Sequence, residues 1–493
     1  MHLNTETSTL SPKTWPFSLE LLPQPAYMVG GAVRDALLGR RRGYLDLDFV
    51  LLADAVKTAR KIASRYKAGF VLLDAQRQIA RVVFEQATVD IAQAEGSNLE
   101  IDLQRRDYTM NAIAYNPLTS ELIDPLNGYA DLQQGVIRMV SPKNLQDDPL
   151  RLLRAYRQAA QLSFTLESDT QSAIRQLAPL LGQVSAERVQ AEFAYLLNTC
   201  EGTPWIIAAV EDGLLQTWFP SASTSPRPLP NPPVQGEGTV PSPHPLPNPP
   251  VQGEGTSGRL EGFISPPFQQ GLGESDFHQP ITPPLSPLPV NGEGVWGRGS
   301  ENVSTRLPAV ESSAVLLGEK WHELGNLLSN SVGDTLKTSW LAIAKLATLL
   351  SPVPEAAETQ LLNLKYSRAE IRAITTALKL LPQMQSSQMS LGEQYLFFRE
   401  AGQVFPAILV LAVADGVSVA ELTPLINRYL TPDDPVAHPV PLVTGKDLIQ
   451  TFNLPSGPQV GKFLTAIGLA RAEGKISTPA EAIKLVSQLL DDR

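Results

Sequence analysis

The stretch Ala26-Tyr27-Met28-Val29-Gly30-Gly31-Ala32-Val33-Arg34-Asp35, followed closely by Leu45-Asp46-Leu47-Asp48-Phe49, decides how this chain is read. The first part starts as a short apolar strand, turns at the paired glycines and continues with helical spacing. Glycines at such a turn let backbone approach a ligand, and the helix N-terminus behind them favours phosphate. Arg34 adds a charge-assisted grip on the same anion. The second part alternates like a strand, so Asp46 and Asp48 project from one face while Leu45, Leu47 and Phe49 face a core. Two convergent carboxylates without imidazole or thiol suit a hard, oxygen-seeking cation, notably Mg²⁺. A bare Asp-x-Asp is more often a solvated strand face. The phosphate-type turn eleven positions upstream of Asp46 is what assigns these two to a ligand.

Outward from this stretch, residues 20–140 read as mixed α and β, with DAVKTARKIASRYK amphipathic and GFVLLD, ARVVFE and TVDIAQA as strands. Two basic clusters follow. In Arg105-Arg106-Asp107-Tyr108-Thr109-Met110-Asn111-Ala112 the adjacent arginines precede an apolar run, which points at least one of them toward a buried anion. In Asp147-Asp148-Pro149-Leu150-Arg151-Leu152-Leu153-Arg154-Ala155-Tyr156-Arg157 the arginines recur every third residue, forming a helix ridge opposite Leu152, Leu153 and Tyr156. Such a ridge repels itself unless it meets phosphates or acids; a surface ridge paired with Asp147 and Asp148 is the alternative.

Composition bounds the class. The chain has 493 residues, 40 Lys and Arg against 50 Asp and Glu, and a net charge of −10, which excludes coating of nucleic acid or membrane by bulk charge. One cysteine, Cys200, and five scattered histidines exclude a disulfide framework and metal sites built on sulfur or imidazole. The polar start lacks a signal peptide's apolar stretch, and the expectation is a soluble cytoplasmic protein without a membrane partner. Between Ser221 and Ser300 lie 18 of the 42 prolines and 12 of the 34 glycines, with SPRPLPNPPVQGEG from Ser225 repeated as SPHPLPNPPVQGEG from Ser242. Such a segment has no apolar face to bury, and the reading is a disordered insertion, 221–309. Deleting Ala222–Gly299 is expected to leave the melting temperature and activity unchanged; loss of soluble protein would contradict this.

Together these motifs resemble the class II nucleotidyltransferase family that contains tRNA CCA-adding enzymes and bacterial poly(A) polymerases. GGAVRD with DLD resembles its catalytic motif, RRDYTMNA its RRDFTxNA motif, DDPLR its EDxxR base-selecting motif, and Ser185-Ala186-Glu187-Arg188-Val189 its neck motif. The resemblance covers about residues 25–215 and recurs weakly in the tail. It implies an α+β fold: a nucleotidyltransferase head with a small mixed sheet over 20–145, a helical neck over 146–220, a helical body over 310–435 and a tRNA-binding helical tail over 440–493. It implies that Asp46 and Asp48 hold Mg²⁺, that Gly31, Arg34 and Arg106 cradle the triphosphate, that Arg154 and Arg157 extend that grip, and that Asp148 and Arg151 read the base. Gly30, Asp35, Asp107 and Asn111 fall in the same motifs and are assigned to nucleotide binding with them. Asp90 is the candidate third carboxylate, although the arginine that usually follows it in the family is missing.

The activity implied is Mg²⁺-dependent, template-independent addition of CMP from CTP, with AMP from ATP as a second step, to the 3′ end of tRNA. DNA is not an expected partner, and oligomeric state is left open. The interval from Asp90 to Arg105 spans only 15 residues, and its shortness resembles enzymes that add the two cytidines alone. The helical half lacks the His-Asp pair of relatives that carry a phosphohydrolase domain. Poly(A) polymerase is the alternative within the class, although the chain stops at LLDDR without a basic extension; a catalytically inactive RNA-binding protein is the alternative outside it.

Overall fold

The computed structural model describes residues 8–40, 43–96, 98–199, 201–222, 302–333, 336–385 and 389–491. The Pro/Gly-rich repeats lie outside them. The head is built on a mixed sheet of seven strands: β1 (Ala26–Val29), β2 (Leu45–Leu51), β3 (Gly69–Asp74), β4 (Ile79–Val83), β5 (Ala87–Gln93), β6 (Ala114–Asn116) and β7 (Glu121–Ile123). Their spatial order is β3-β4-β5-β2-β1-β6-β7. Only β2 and β5 run parallel, with Asp48 opposite Asp90 in the register. The other neighbours pair antiparallel.

This topology gathers the motifs. Strand β1 pairs Met28 with Phe49 of β2 on one side and Val29 with Ala114 of β6 on the other. The turn that leaves β1 at Gly30 therefore lies beside Asp48, and the segment entering β6 arrives at the same end. On β2 the alternation is kept: Leu47 and Phe49 are buried, Asp46 is exposed and Asp48 is half-buried. Leu45 is only half-buried, because it opens the strand.

Helices cover the sheet and continue beyond it: α1 (Gly31–Leu37), α2 (Ala55–Tyr66), α3 (Leu99–Gln104), α4 (Gly128–Gln134) and α5 (Pro142–Asp147) in the head. Ala55, Ala59, Ile62 and Ala63 give α2 its buried stripe at helical spacing. The neck comprises α6 (Leu150–Leu162), α7 (Ser168–Leu177), α8 (Ala186–Asn198) and α9 (Gly202–Glu211). Leu152, Leu153, Tyr156 and Ala159 bury one side of α6 and leave the arginine side free to face the head. Tyr156 donates to Asp212 at 2.5 Å, and Gln171 and Arg175 reach the same carboxylate at 2.7 and 2.6 Å, so α6, α7 and the end of α9 share one buried polar knot.

The body begins with α10 (Val303–Lys320). Residues 303–309, placed by sequence in the insertion, are its first two turns: Asn302 caps them and Val303 and Leu307 are buried. At the other edge, Ser221 and Ala222 close a short 3-10 turn and Ala222 is buried, so a deletion that spares the core starts after it. Helix Phe405–Ala414 is apolar all round and buried from Phe405 to Ala412, as the central helix of an α domain must be. With the helix before it, it makes a run, Leu391–Ala414, long and apolar enough to cross a bilayer, but 61% of that window is buried inside the fold. The tail packs Val443, Leu448, Phe463, Ile467 and Val486 into its own small core. Its last helix has Pro479 in the first turn, Glu481 accepting from the Ser477 and Thr478 amides, and Thr478 accepting from the Glu481 amide.

Candidate active site

Between the head and the neck lies a cleft of about 480 Å³, a size that suits a nucleotide. Its floor is the Gly30-Gly31 turn with Asp46 and Asp48, and its far wall is the arginine side of α6. Gly30 adopts φ +70°, a conformation that favours glycine, and a Cβ there would stand 3.3 Å from Asp48 Oδ2 and 3.5 Å from an Arg106 Nη. The turn is thus pressed against one of the two carboxylates.

The carboxylates differ. Asp46 accepts from the Thr88 hydroxyl at 2.7 Å. Asp48 accepts no side-chain hydrogen bond from a described residue, and burial, then repulsion from Asp46 and Asp90, push its carboxyl from 3.8 up to about 7 against the pull of Arg106 and Arg81. A carboxylate so crowded by like charge and so poor in donors fits a cation site. The donor set is oxygen only, and no group of three acids, histidines or cysteines clusters to hold a metal among the described residues. Two carboxylates leave coordination positions for phosphate oxygens and water, as Mg²⁺ prefers.

The crowding makes a prediction. Between about pH 4 and pH 7 the folded head keeps an Asp48 proton that the unfolded chain has released, so metal-free protein loses stability through this group as pH rises. Asp48→Asn removes that loss. In chelator at about pH 8 the variant is expected to melt several degrees above the wild type, and the gap closes near pH 4. Equal melting at both pH values would contradict the assignment.

Asp90 is near these two but engaged elsewhere. Arg81, opposite it across the β4–β5 ladder, binds it in a fork at 2.7 and 2.8 Å. An arginine thus reaches Asp90 from the preceding strand. Asp90 stands opposite Asp48 in the register and biases it by like charge.

Around the floor the arginines are pre-positioned by acids. Arg34 gives Nε and Nη2 to Asp35 at 2.9 and 2.7 Å, which makes Asp35 its holder. Arg106 pairs with Asp102 at 3.0 Å, and its buried Nε has no acceptor among the described residues. Arg154 stands 3.4 Å from Asp107, and its buried Nε makes no hydrogen bond to a described residue, with Glu192 at ion-pair range, 3.9 Å. Burial pushes the Asp107 carboxyl up, yet Arg154, Asn111 and the Tyr108 amide together hold it below the usual carboxylate range. Arg157 is paired with Glu192 and Gln161. Buried N–H groups without acceptors, lining a cleft, mark where an anion belongs.

The side chains of Asp148 and Arg151 are held separately. The Asp148 backbone is extended just before α6 and its carboxylate is bound by Arg188 of α8 at 3.0 and 3.1 Å. Arg151 lines the cleft and donates one Nη to the carbonyls of Arg105 and Asn144 at 2.8 and 3.0 Å. Asp147 pairs with Lys143 at the surface. The remaining sequence candidates, Gly30, Gly31, Asp35, Asp107, Asn111, Arg154 and Arg157, line the cleft together. The sequence reading missed Arg81, Tyr44, Glu192 and Tyr195. The last two follow Arg188 at i+4 and i+7, so a helical stripe on α8 already placed them on the face that meets α6.

Family models match along the chain: "Poly A polymerase head domain" over 26–138, "Probable RNA and SrmB- binding site of polymerase A" over 163–225, and a tRNA nucleotidyltransferase domain 2 over 334–486. The CC-adding tRNA nucleotidyltransferase of Synechocystis sp. is 41% identical over 478 residues, covering 96% of both chains. The A-adding tRNA nucleotidyltransferase of Deinococcus radiodurans is 30% identical over 95% of this chain and 96% of its own. The solved complex of a CCA-adding enzyme with CTP shares the fold, with a TM-score of 0.60 at 20% identity over 94% of this chain and 91% of that one. With its motifs assembled in one cleft and a relative this similar along its whole length, the chain belongs to the tRNA nucleotidyltransferase family.

Proposed function

We propose that this protein adds CMP from CTP to the 3′ end of tRNA in the cytoplasm, without a nucleic-acid template, and stops after the two cytidines of the CCA end. The observation that carries this reading is the cleft in which Asp46 and Asp48 face Arg34, Arg106, Arg154 and Arg157. Phosphoryl transfer needs little covalent help and much alignment and charge neutralisation, and this wall-and-floor arrangement supplies both. In the step proposed, the RNA 3′-hydroxyl oxygen attacks the α-phosphorus of CTP and gives up its proton to solvent, the bond from that phosphorus to the α–β bridging oxygen breaks, and pyrophosphate leaves. Asp46 and Asp48 are the residues that would hold Mg²⁺, whose bound charge would neutralise the reacting phosphate. Arg106 and Arg154 offer the N–H groups that meet the departing charge, while the Gly30-Gly31 turn and the start of α1 bring backbone close to the phosphates. Arg151 and Asp148 read the base, the latter from its seat on Arg188.

The stop after two cytidines rests on the connector between β5 and α3. Strand β5 ends at Gln93 and α3 begins at Leu99. The Ala94 amide donates to the Leu51 carbonyl at 2.8 Å and the Glu95 amide to Asp102 at 3.1 Å. Glu95 is paired with Arg105, and Asn98 caps α3. A connector so short, and tied at Ala94, Glu95 and Asn98, leaves little to swing the base-reading residues into a second arrangement. The 41% identical CC-adding relative supports the same reading, and the A-adding relative makes AMP the alternative nucleotide. The test is pyrophosphate release from CTP: it is expected to require both Mg²⁺ and tRNA lacking its CCA end, and release without tRNA, or none at all, would overturn the proposal.

A further inference from the structure

Gln158 lies one helical turn below Arg154 and two below Arg151 on α6, so the three form one stripe along the cleft side of that helix. Unlike the arginines it is almost sealed, with 2% of its surface exposed. Its Oε1 accepts from Asn111 Nδ2 at 2.9 Å and from Arg34 Nη1 at 3.5 Å. Asn111 in turn accepts from Arg34 Nη1 at 2.9 Å and donates to Asp107 at 2.9 Å. Both neighbours of the Gln158 oxygen are donors, which fixes the orientation of its amide. Its Nε2 has no partner among the described residues.

The consequence is a crossing of the head–neck boundary at one side chain. Arg34 and Asn111 come from the head, α1 and the turn before β6, whereas Gln158 comes from the helix that carries Arg151 and Arg154. Asp35 holds two of the Arg34 nitrogens, and Asn111 with Gln158 holds the third. With all three fixed, Arg34 presents the remaining Nη2 proton beside Gly31, whose Cβ position is 3.5 Å from that nitrogen. A buried amide with an unpaired donor is costly to keep. Here it sits where the base-facing helix meets the phosphate-facing turn.

We propose that Gln158 is a positioning residue for nucleotide binding: through Asn111 and Arg34 it sets the register of the neck helix against the phosphate-binding turn. This rests on the reading of the cleft as a CTP site. It touches no substrate, and its effect is confined to the nucleotide side.

The test uses the full chain with Gln158→Met, which keeps length and volume but removes the acceptor, and Gln158→Glu, which keeps the acceptor and removes the unpaired donor. Calorimetric binding of CTP to the free protein with Mg²⁺ is measured alongside KM for CTP, KM for tRNA and the melting temperature. Gln158→Met is expected to weaken CTP binding and raise its KM by roughly tenfold, the loss of about one well-made hydrogen bond, with KM for tRNA unchanged. Gln158→Glu is expected to restore CTP binding to within about threefold of wild type. Unchanged CTP affinity in Gln158→Met, a parallel rise in both KM values, or no recovery in Gln158→Glu would each overturn the proposal. Should Gln158→Met fail to fold, the Gln158→Glu affinity decides alone. Wild-type protein that binds CTP but transfers nothing to tRNA would sink the proposed activity and leave this inference to the binding data.

Discussion

Asp46→Asn and Asp48→Asn are each expected to abolish the proposed CMP transfer, lowering it on the order of a thousandfold or more, while the protein remains folded. The size of the effect follows from what the two carboxylates face. Each substitution keeps the shape of the side chain and removes one negative charge from the two carboxylates proposed to hold the cation. The fold survives because little of it depends on the charge: the Thr88 hydroxyl donates to Asp46 Oδ1, and an amide oxygen accepts that bond equally well. Asp48 has no side-chain bond from a described residue to lose, and its charge is a burden on the metal-free head. The two variants therefore separate from ordinary destabilised mutants, since activity falls while melting in chelator is unchanged or raised. Incorporation of labelled CMP into tRNA, with a melt on the same sample, measures both. Normal turnover by either variant would remove the metal assignment.

The second large effect falls on base choice. Arg151→Ala is expected to relax the preference for CTP over other nucleotides by roughly tenfold to a hundredfold, the worth of about 1–3 kcal/mol of base discrimination. The guanidinium is not free to roam: the Arg105 and Asn144 carbonyls hold one of its Nη groups and leave the rest of its donor fork to the cleft. Arg188→Ala is the companion. It releases Asp148 from α8, and the same loss of discrimination follows without touching Arg151. The ratio of kcat/KM for CTP and ATP, compared across the three proteins, reads the effect. An unaltered ratio in Arg151→Ala would mean that the base is read elsewhere.

Much of the head was legible in the sequence because its signals are local. A strand, a glycine turn and a helix start within ten residues, and strand alternation alone puts Asp46 and Asp48 on one face. The arginine ridge was equally plain, since three-residue spacing on a helix fixes a side. What escaped were pairings set by tertiary register. Arg81 meets Asp90 across a hairpin, nine residues upstream, where a search after Asp90 finds nothing. Asp148 lies three residues from Arg151, yet it is bound by Arg188, forty positions away, because the chain is still extended before α6 begins. Gln158 carried no signal at all: a glutamine in an amphipathic helix reads as a boundary residue, and only the packing of α6 on the head makes it an acceptor for Arg34 and Asn111. The start of the body at Val303 was missed for a related reason, since Pro308 stands in what would otherwise read as continuous helix.

Purified protein is supplied with tRNA lacking its CCA end and with CTP, ATP or both, and the 3′ ends of the products are sequenced. If the cleft adds two cytidines and no more, as proposed, every extended product ends in two cytidines whether or not ATP is present, and ATP alone yields no extension. Efficient addition of a terminal adenosine by the wild-type protein would contradict it.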